Sequence, residues 1–291
     1  MNKEIILNVV TVVRNDQKGL EKTLKSLIYF SKKLQKLNIN LRIQDGLSND
    51  KTVIFAKEFL QKNESKNLTY QIISEDDEGI FDAMNRASDF LKQDDIVLYL
   101  NAGDSISYDL NPDFFFESLS FFSKSSSKLC AFRSRNYFSN VSYFMPGKTI
   151  NDSSAFNKWI VNNTPVHQAV IFKFDNKFPI FYSTDFKIQS DSIFIYEYIN
   201  KFGKPIFFNA TLCDFELGGL SNSYKSLSKV LNQINEQNLV SRLRRESIFF
   251  ISIRNISLLL KYFLHNFFGR YYYFIHALIK SKFIKKLNSD D

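Results

Sequence analysis

The chain has 291 residues, 44% hydrophobic and 23% charged, enough apolar content for a packed core and too much for a disordered segment. Two cysteines, Cys130 and Cys213, and three histidines exclude a disulfide framework and a four-cysteine zinc site, so any metal is expected on carboxylate oxygens, as magnesium or manganese. The formal charge of +8 is uneven, because residues 242–291 hold ten Lys/Arg against three acids; a nucleic-acid-binding body is disfavoured, and an anionic surface is expected to meet only the C-terminal end.

In chain order, no signal-peptide pattern opens the sequence, which places the body in the cytoplasm as an expectation. Ile5 to Val13 is a nearly continuous β-branched run, the pattern of a strand buried on both faces. A helical stripe (Leu20, Leu24, Leu27, Ile28, Leu34) follows, then a short strand from Leu41 to Gln44 and a helix over Thr52 to Gln61. Tyr70 to Ser74 reads as a strand, Gly79 to Leu91 as a helix with Ile80, Met84, Ala87 and Leu91 inward, and Ile96 to Leu100 as a strand. This alternation predicts an α/β fold with a doubly wound, mostly parallel sheet. Further on, Asp113 to Phe122 reads as helix, Leu129 to Phe144 as strands or a hairpin, and Lys148 to Thr164 as loop. Ala169 to Phe174 reads as strand, Asp185 to Lys201 as helix, Ile206 to Phe215 as strand, and a flexible Gly218-Gly219 loop precedes a helix starting near Tyr224.

In open α/β sheets, ligands sit beyond the carboxyl ends of the strands. Here those ends run into Arg14-Asn15-Asp16, Asp45-Gly46, Glu75-Asp76-Asp77 and Asn101-Ala102-Gly103-Asp104. Such a rim suits sugar and ribose hydroxyls and a cation. Neither a Gly-x-Gly-x-x-Gly nor a Gly-Lys-Ser/Thr motif occurs, so neither a dinucleotide fold nor a P-loop is expected.

Seven segments in order carry a resemblance: VTVVRND (10–16), IQDGLSNDKT (43–52), SEDDEGIFDAMNRA (74–87), LNAGD (100–104), TPVHQAVIF (164–172), DFKIQSD (185–191) and FELGGLSN (215–222). Together they resemble the bacterial family-2 glycosyltransferases of GT-A fold, inverting enzymes of polysaccharide biosynthesis in the cell envelope. The match covers roughly residues 5–225 and implies a nucleoside diphosphate sugar donor, an acceptor hydroxyl and a divalent cation, Mn2+ or Mg2+. It assigns the metal to Asp104, although Asn101 and Gly103 stand where the familiar motif has further acids. It assigns nucleotide-sugar contacts to Thr11, Asn15, Asp45, Asp77 and Asn85. Asp82, His167, Gln168, Gly218 and Gly219 are implied on the acceptor or diphosphate side, and Asp191 as general base, with Asp185 as the nearby competitor. If 185–191 is helical, the two aspartates lie about 120° apart and only one faces the site. Plainer roles stand beside these: turn residue for Asp104, helix cap for Asp191, solvated helix surface for Asp82, core histidine for His167.

The organisation expected is a catalytic domain over 1–240 and a basic, aromatic helical tail over 241–291. Apolar residues at 249, 253, 256, 260, 263, 267, 271, 274 and 278 keep one helical stripe, with Arg254, Lys261 and His265 near the opposite face and Gly269 as a break point. Charges interrupt the stripe too often for a comfortable span of about 20 apolar residues. The tail therefore reads as a helix lying on an anionic membrane surface through residues 242–287, giving peripheral attachment at the inner face of the cytoplasmic membrane. Packing on the body, or a homodimer through the tail, is the alternative; truncation near Asn238 leaves a free-standing body in the first case and exposes core in the second. Two rivals to a transferase remain: a sugar nucleotidyltransferase, disfavoured by the RNDQKG loop after the first strand, and a catalytically silent sugar-nucleotide-binding or scaffolding partner.

Overall fold

The computed structural model describes residues 4–178, 181–218 and 226–287. Three parallel strands form its N-terminal part: β1 (Ile6–Val13), β2 (Asn38–Asp45) and β3 (Leu68–Ser74), joined by helices α1 (Gln17–Lys33) and α2 (Thr52–Lys62). After α3 (Ile80–Arg86), β4 (Ile96–Tyr99) pairs parallel to β1 on its other side. Alternate residues of β1 enter two different cores: Leu7, Val9 and Val13 pack with α1 and α2, while Val10 and Val12 pack with α3. That division is why the run reads as unbroken hydrophobic sequence.

The second half is mixed. It comprises β5 (Ser105–Ile106), α4 (Pro112–Lys124), β6 (Leu129–Phe138), β7 (Val141–Met145), α5 (Ser153–Trp159), β8 (Val170–Lys173), α6 (Ser190–Phe202) and β9 (Ile206–Glu216). The sheet order is β3-β2-β1-β4-β8-β6-β9-β5, with β7 hairpinned onto β6. β8 is antiparallel to both β4 and β6, whereas β9 runs parallel to β6. The expected α/β sheet with flanking helices is present, parallel in its first part and mixed in its second.

Three boundaries depart from the sequence reading. The helix expected through Leu91 ends at Arg86, where the backbone tightens into turns, the Ser88 amide bonding the Asn85 carbonyl at 3.0 Å and the Asp89 amide the Arg86 carbonyl at 3.3 Å; Ala87 and Leu91 are nonetheless buried. The stretch taken as loop holds α5, started by Asp152, whose carboxylate accepts the Ala155 amide at 2.8 Å. Residues 185–189 are not helical: the Glu236 carboxylate takes the amides of Lys187, Ile188 and Gln189 at 2.8–2.9 Å, and α6 begins only at Ser190. Asp185 and Asp191 are thus separated by a helix start, and the spacing of about 120° expected on one helix does not occur.

Beyond Gly218 the chain continues in α7 (Leu227–Leu243), α8 (Ile248–Phe268) and α9 (Tyr271–Leu287); the Tyr224 start lies outside the described residues. Gly269 breaks the tail in two as expected, at a φ of 56° that suits glycine. One side of the tail packs on the body. Leu258, Tyr272, Tyr273 and Ala277 form a third core with Leu217, Val230 and Ile234, against Phe138, Val141 and Tyr143 of the hairpin. The stripe read from the sequence faces the other way: Phe249, Ile253, Ile256, Leu260, Phe263, Phe267 and Tyr271 are exposed. His265, expected on the polar side, is buried. By length and composition alone α8, at 21 residues, is long and apolar enough to cross a bilayer, Arg254 and Lys261 notwithstanding.

Candidate functional site

The loops after β1 and β4 meet the end of β9 above the carboxyl ends of these strands and enclose a cleft of about 440 Å3. Asp16, Asn101, Asp104, Gln168, Glu216 and Gly218 line it, and the tail closes one side with His265, Arg270 and Tyr273. A second cleft of about 320 Å3 shares Asp16, Ile80, Asn101 and Ala102 with the first and reaches Arg14 and Asp77. The two form one continuous trough over the carboxyl ends of β1 and β4, where a ligand is expected in such a sheet.

Helix α1 fixes the loop that carries Asp104. The Thr23 hydroxyl donates to the Asp104 carbonyl at 2.6 Å and accepts the Gly103 amide at 3.1 Å. Lys22 donates to the Gly103 carbonyl at 2.6 Å and pairs with Glu216 at 3.1 Å. Burial works against the charge on Lys22, but Tyr137 and Glu216 outweigh it and hold its pKa above the usual lysine value. Asp104 itself is buried, and loss of solvent pushes its carboxyl up to about 7 despite Lys22 and a side-chain hydrogen bond from Gln168. Beside it, Asn101 Oδ1 is buried with no hydrogen-bond partner among the described residues. An under-compensated carboxylate and an orphaned amide oxygen lining one cleft are hard donors that suit Mg2+ or Mn2+. Among the described residues no group of three or more His, Cys, Asp or Glu gathers, so phosphate oxygens of a ligand would have to complete the shell.

The remaining assignments fall into three settings. Gln168 and Gly218 join Asp104 in the trough, and Asp77 lies in its second half, where its carboxylate caps the Gly79 amide at 2.9 Å. Gly219 lies outside the described residues. Others are held by the scaffold. Thr11 is buried, its hydroxyl bonded to the Leu100 carbonyl at 2.8 Å, which ties β1 to β4. Asp45 is fully buried and accepts from the Ser48 amide and hydroxyl and from Ser74. Asn15 bridges loops, accepting the Asn49 amide at 2.8 Å while its own amide bonds Ser48 at 2.7 Å. Asp82 takes the Glu78 amide and pairs with Arg86; burial raises its pKa, but those two partners outweigh it and hold it below the usual carboxylate value.

The last group surrounds Tyr182. Asn85 clamps the Tyr182 backbone, donating to its carbonyl at 2.8 Å and accepting its amide at 2.6 Å. His167 bonds the Tyr182 hydroxyl at 2.7 Å and sits among Tyr99, Phe172 and Tyr182, where burial pushes its imidazole down to about 3. His167 and Gln168 share one 3-10 turn yet diverge, the histidine into the aromatic core and the glutamine toward Asp104. Asp191 stands in the first turn of α6; burial, with Glu236 nearby, pushes its carboxyl up to about 6 although it accepts the Ser192 amide. It borders Tyr182 and lines neither half of the trough. Lys22, Thr23, Glu236 and Arg270 escaped the sequence reading; the place of Glu236 as the single acid among the polar and apolar residues of α7 was the available clue to it.

This architecture is the GT-A glycosyltransferase fold: a parallel first half of the sheet, a mixed second half, and a trough where they meet. No protein-family model and no curated protein matches the chain by sequence. Among solved structures it is similar to residues 1–349 of Staphylococcus aureus TarS in complex with UDP, with 14% identity, a TM-score of 0.55, 80% of this chain and 65% of that chain covered. The same TarS fragment with UDP-GlcNAc matches at TM-score 0.57 and 14% identity, over 81% of this chain and 66% of that one. The mannosyltransferase PcManGT of Pyrobaculum calidifontis, in complex with GDP-Man and Mn2+, matches at TM-score 0.56 and 12% identity, over 83% and 64%. This chain thus spans about two thirds of the length of these neighbours.

Proposed function

We propose that the chain is an inverting, family-2 type glycosyltransferase that moves a sugar from a nucleoside diphosphate sugar to a hydroxyl of a lipid-linked or polysaccharide acceptor. The observation that carries this reading is the pairing of buried Asp104 with the unsatisfied Asn101 oxygen in a trough at the strand ends. Support for the donor class comes from the neighbours of like fold, solved with UDP, UDP-GlcNAc and GDP-Man. Asp104 and Asn101 would hold a divalent cation, which when bound neutralises charge on the diphosphate leaving group. The Asp77 half of the trough takes the nucleoside and the Asp104 half the diphosphate and sugar. Asp191 acts as general base for the acceptor hydroxyl, its raised pKa suiting it to accept a proton near neutral pH. Asn85 and Glu236 keep that base in place through Tyr182 and the 187–189 turn. The exposed stripe of α8 rests on an anionic bilayer, with residues 1–240 as the catalytic part and 241–287 as the attachment.

Thermal shifts with UDP, GDP, dTDP and CDP, each with Mn2+ or with EDTA, test this. One nucleotide is expected to raise the melting temperature only with Mn2+, and Asp104→Ala to abolish that increment. No stabilisation by any of the four overturns the reading. The thin set of metal donors favours one second reading, a silent sugar-nucleotide-binding partner. Binding without release of nucleoside diphosphate, across donors and acceptors, decides for it.

A further inference from the structure

A third hollow, of about 400 Å3, opens between the hairpin turn and the α8–α9 junction, lined by Phe138, Ser139, Arg270, Tyr271 and Phe274. Two of these residues, Phe138 and Arg270, also line the Asp104 cleft. The polar trough therefore continues into an almost wholly apolar groove, and one cation stands where the two meet. The groove in turn adjoins the exposed stripe of the tail, since Tyr271 belongs to both. On the trough side the ionisable lining residues near Arg270 are Asp16, Asp104, Glu216 and His265, and Arg270 makes no ion pair among the described residues. A glycan could stack on such rings, but it would not account for the run of the groove into the exposed apolar stripe through Tyr271. A molecule with a phosphate at one end and a hydrocarbon chain at the other matches the sequence of surfaces from Arg270 outward.

We infer that the acceptor hydroxyl is carried on a lipid phosphate, its phosphate held by Arg270 and its hydrocarbon chain lying in the Phe138–Tyr271–Phe274 groove on the way to the bilayer. This rests on the transferase reading and narrows its acceptor to the lipid-linked class. The tail then forms a wall of the acceptor site as well as an attachment to the membrane.

The test uses the full chain and prenyl phosphates in equilibrium binding, with no turnover required. Farnesyl phosphate is expected to bind more tightly than both farnesol and inorganic phosphate, and affinity to rise from geranyl to geranylgeranyl phosphate. Arg270→Gln should weaken farnesyl phosphate at least about tenfold, with partial rescue by Arg270→Lys, while Lys57→Gln on the exposed side of α2 changes nothing. Tyr271→Ser with Phe274→Ser should flatten the chain-length dependence, and circular dichroism verifies the fold of each variant. Unchanged farnesyl phosphate affinity in Arg270→Gln overturns the inference. So does a loss confined to nucleoside diphosphate affinity, which would give Arg270 to the donor. If wild-type protein binds farnesyl phosphate but no nucleoside diphosphate, the groove stands and the transferase reading falls.

Discussion

Asp191 combines two properties that a single substitution separates. Burial pushes its carboxyl up to about 6 from the ordinary 3.8, so the folded state holds this proton more tightly than the unfolded chain. Stability from this group is therefore present below about pH 4 and is lost as pH rises through about 6, so the ionised form is a cost at neutral pH. Asp191→Asn is expected to gain about 1–2 kcal/mol at pH 7.5 and nothing near pH 4, measured by urea unfolding. Transfer should meanwhile fall about 10²–10⁴-fold with nucleotide affinity unchanged, and the wild-type rate should decline on the acid side of about pH 6. Near-normal transfer in Asp191→Asn, with loss in Asp185→Asn, gives the role to the exposed aspartate instead. Asp104, in the loop after β4, shows the same desolvation in a different setting, beside an orphaned amide oxygen that suits a cation.

Elements reach the site by holding its loops. Helix α1 carries no residue of the proposed chemistry, yet Thr23 and Lys22 fasten the Asp104 loop from behind. Thr23→Val keeps the volume and leaves the Gly103 amide and neighbouring carbonyls short of a partner, so a loss of about 1–3 kcal/mol is expected in urea unfolding. Helix α7 acts on the other side of the site through Glu236, whose carboxylate collects three successive amides ahead of α6. Charged acceptors contribute about 1.5–3 kcal/mol per hydrogen bond at most, and Glu236→Ala should cost of that order overall. Glu236→Gln removes the anion that helps raise Asp191. The acid limb of its rate profile is expected to move to lower pH; a limb that stays in place shows that burial alone sets the Asp191 value.

For the whole molecule, the tail is both packed and exposed, where the sequence reading opposed the two. Its inner side completes a core with Leu217, Val230 and Ile234, and its outer side leaves Phe249, Ile256, Phe263 and Phe267 in solvent. Truncation near Asn238 is accordingly expected to expose that core, with aggregation or early melting in place of the free-standing body anticipated from composition. The lipid question moves to the outer side alone. Ile256→Glu with Phe263→Glu should leave the melting temperature within a few degrees and abolish sedimentation with phosphatidylglycerol vesicles, and salt should weaken wild-type binding. Unchanged vesicle binding by this pair removes the stripe from the membrane contact.

Local chemistry wrote much of this into the chain. Period-two and period-3.6 hydrophobicity located β1 to β4, the hairpin of β6 and β7, and the break at Gly269, because each depends on neighbours a few residues apart. The strand-end rule likewise pointed to Asp104 and Asp77, and the family resemblance to Gln168 and Gly218, all of which line one trough. Which way a side chain turns at a given position was decided elsewhere. Asp45 and Thr11 sit at the expected strand ends but spend their hydrogen bonds on Ser48, Ser74 and Leu100, since buried polar groups take the partners that folding brings to them. The α6 start depends on a carboxylate 47 residues away, and the place of Arg270 at the mouth of the apolar groove on a tail that folds back over the hairpin. Burial and long-range pairing are properties of the assembled core, and periodicity in one segment carries no record of what another segment will lay against it.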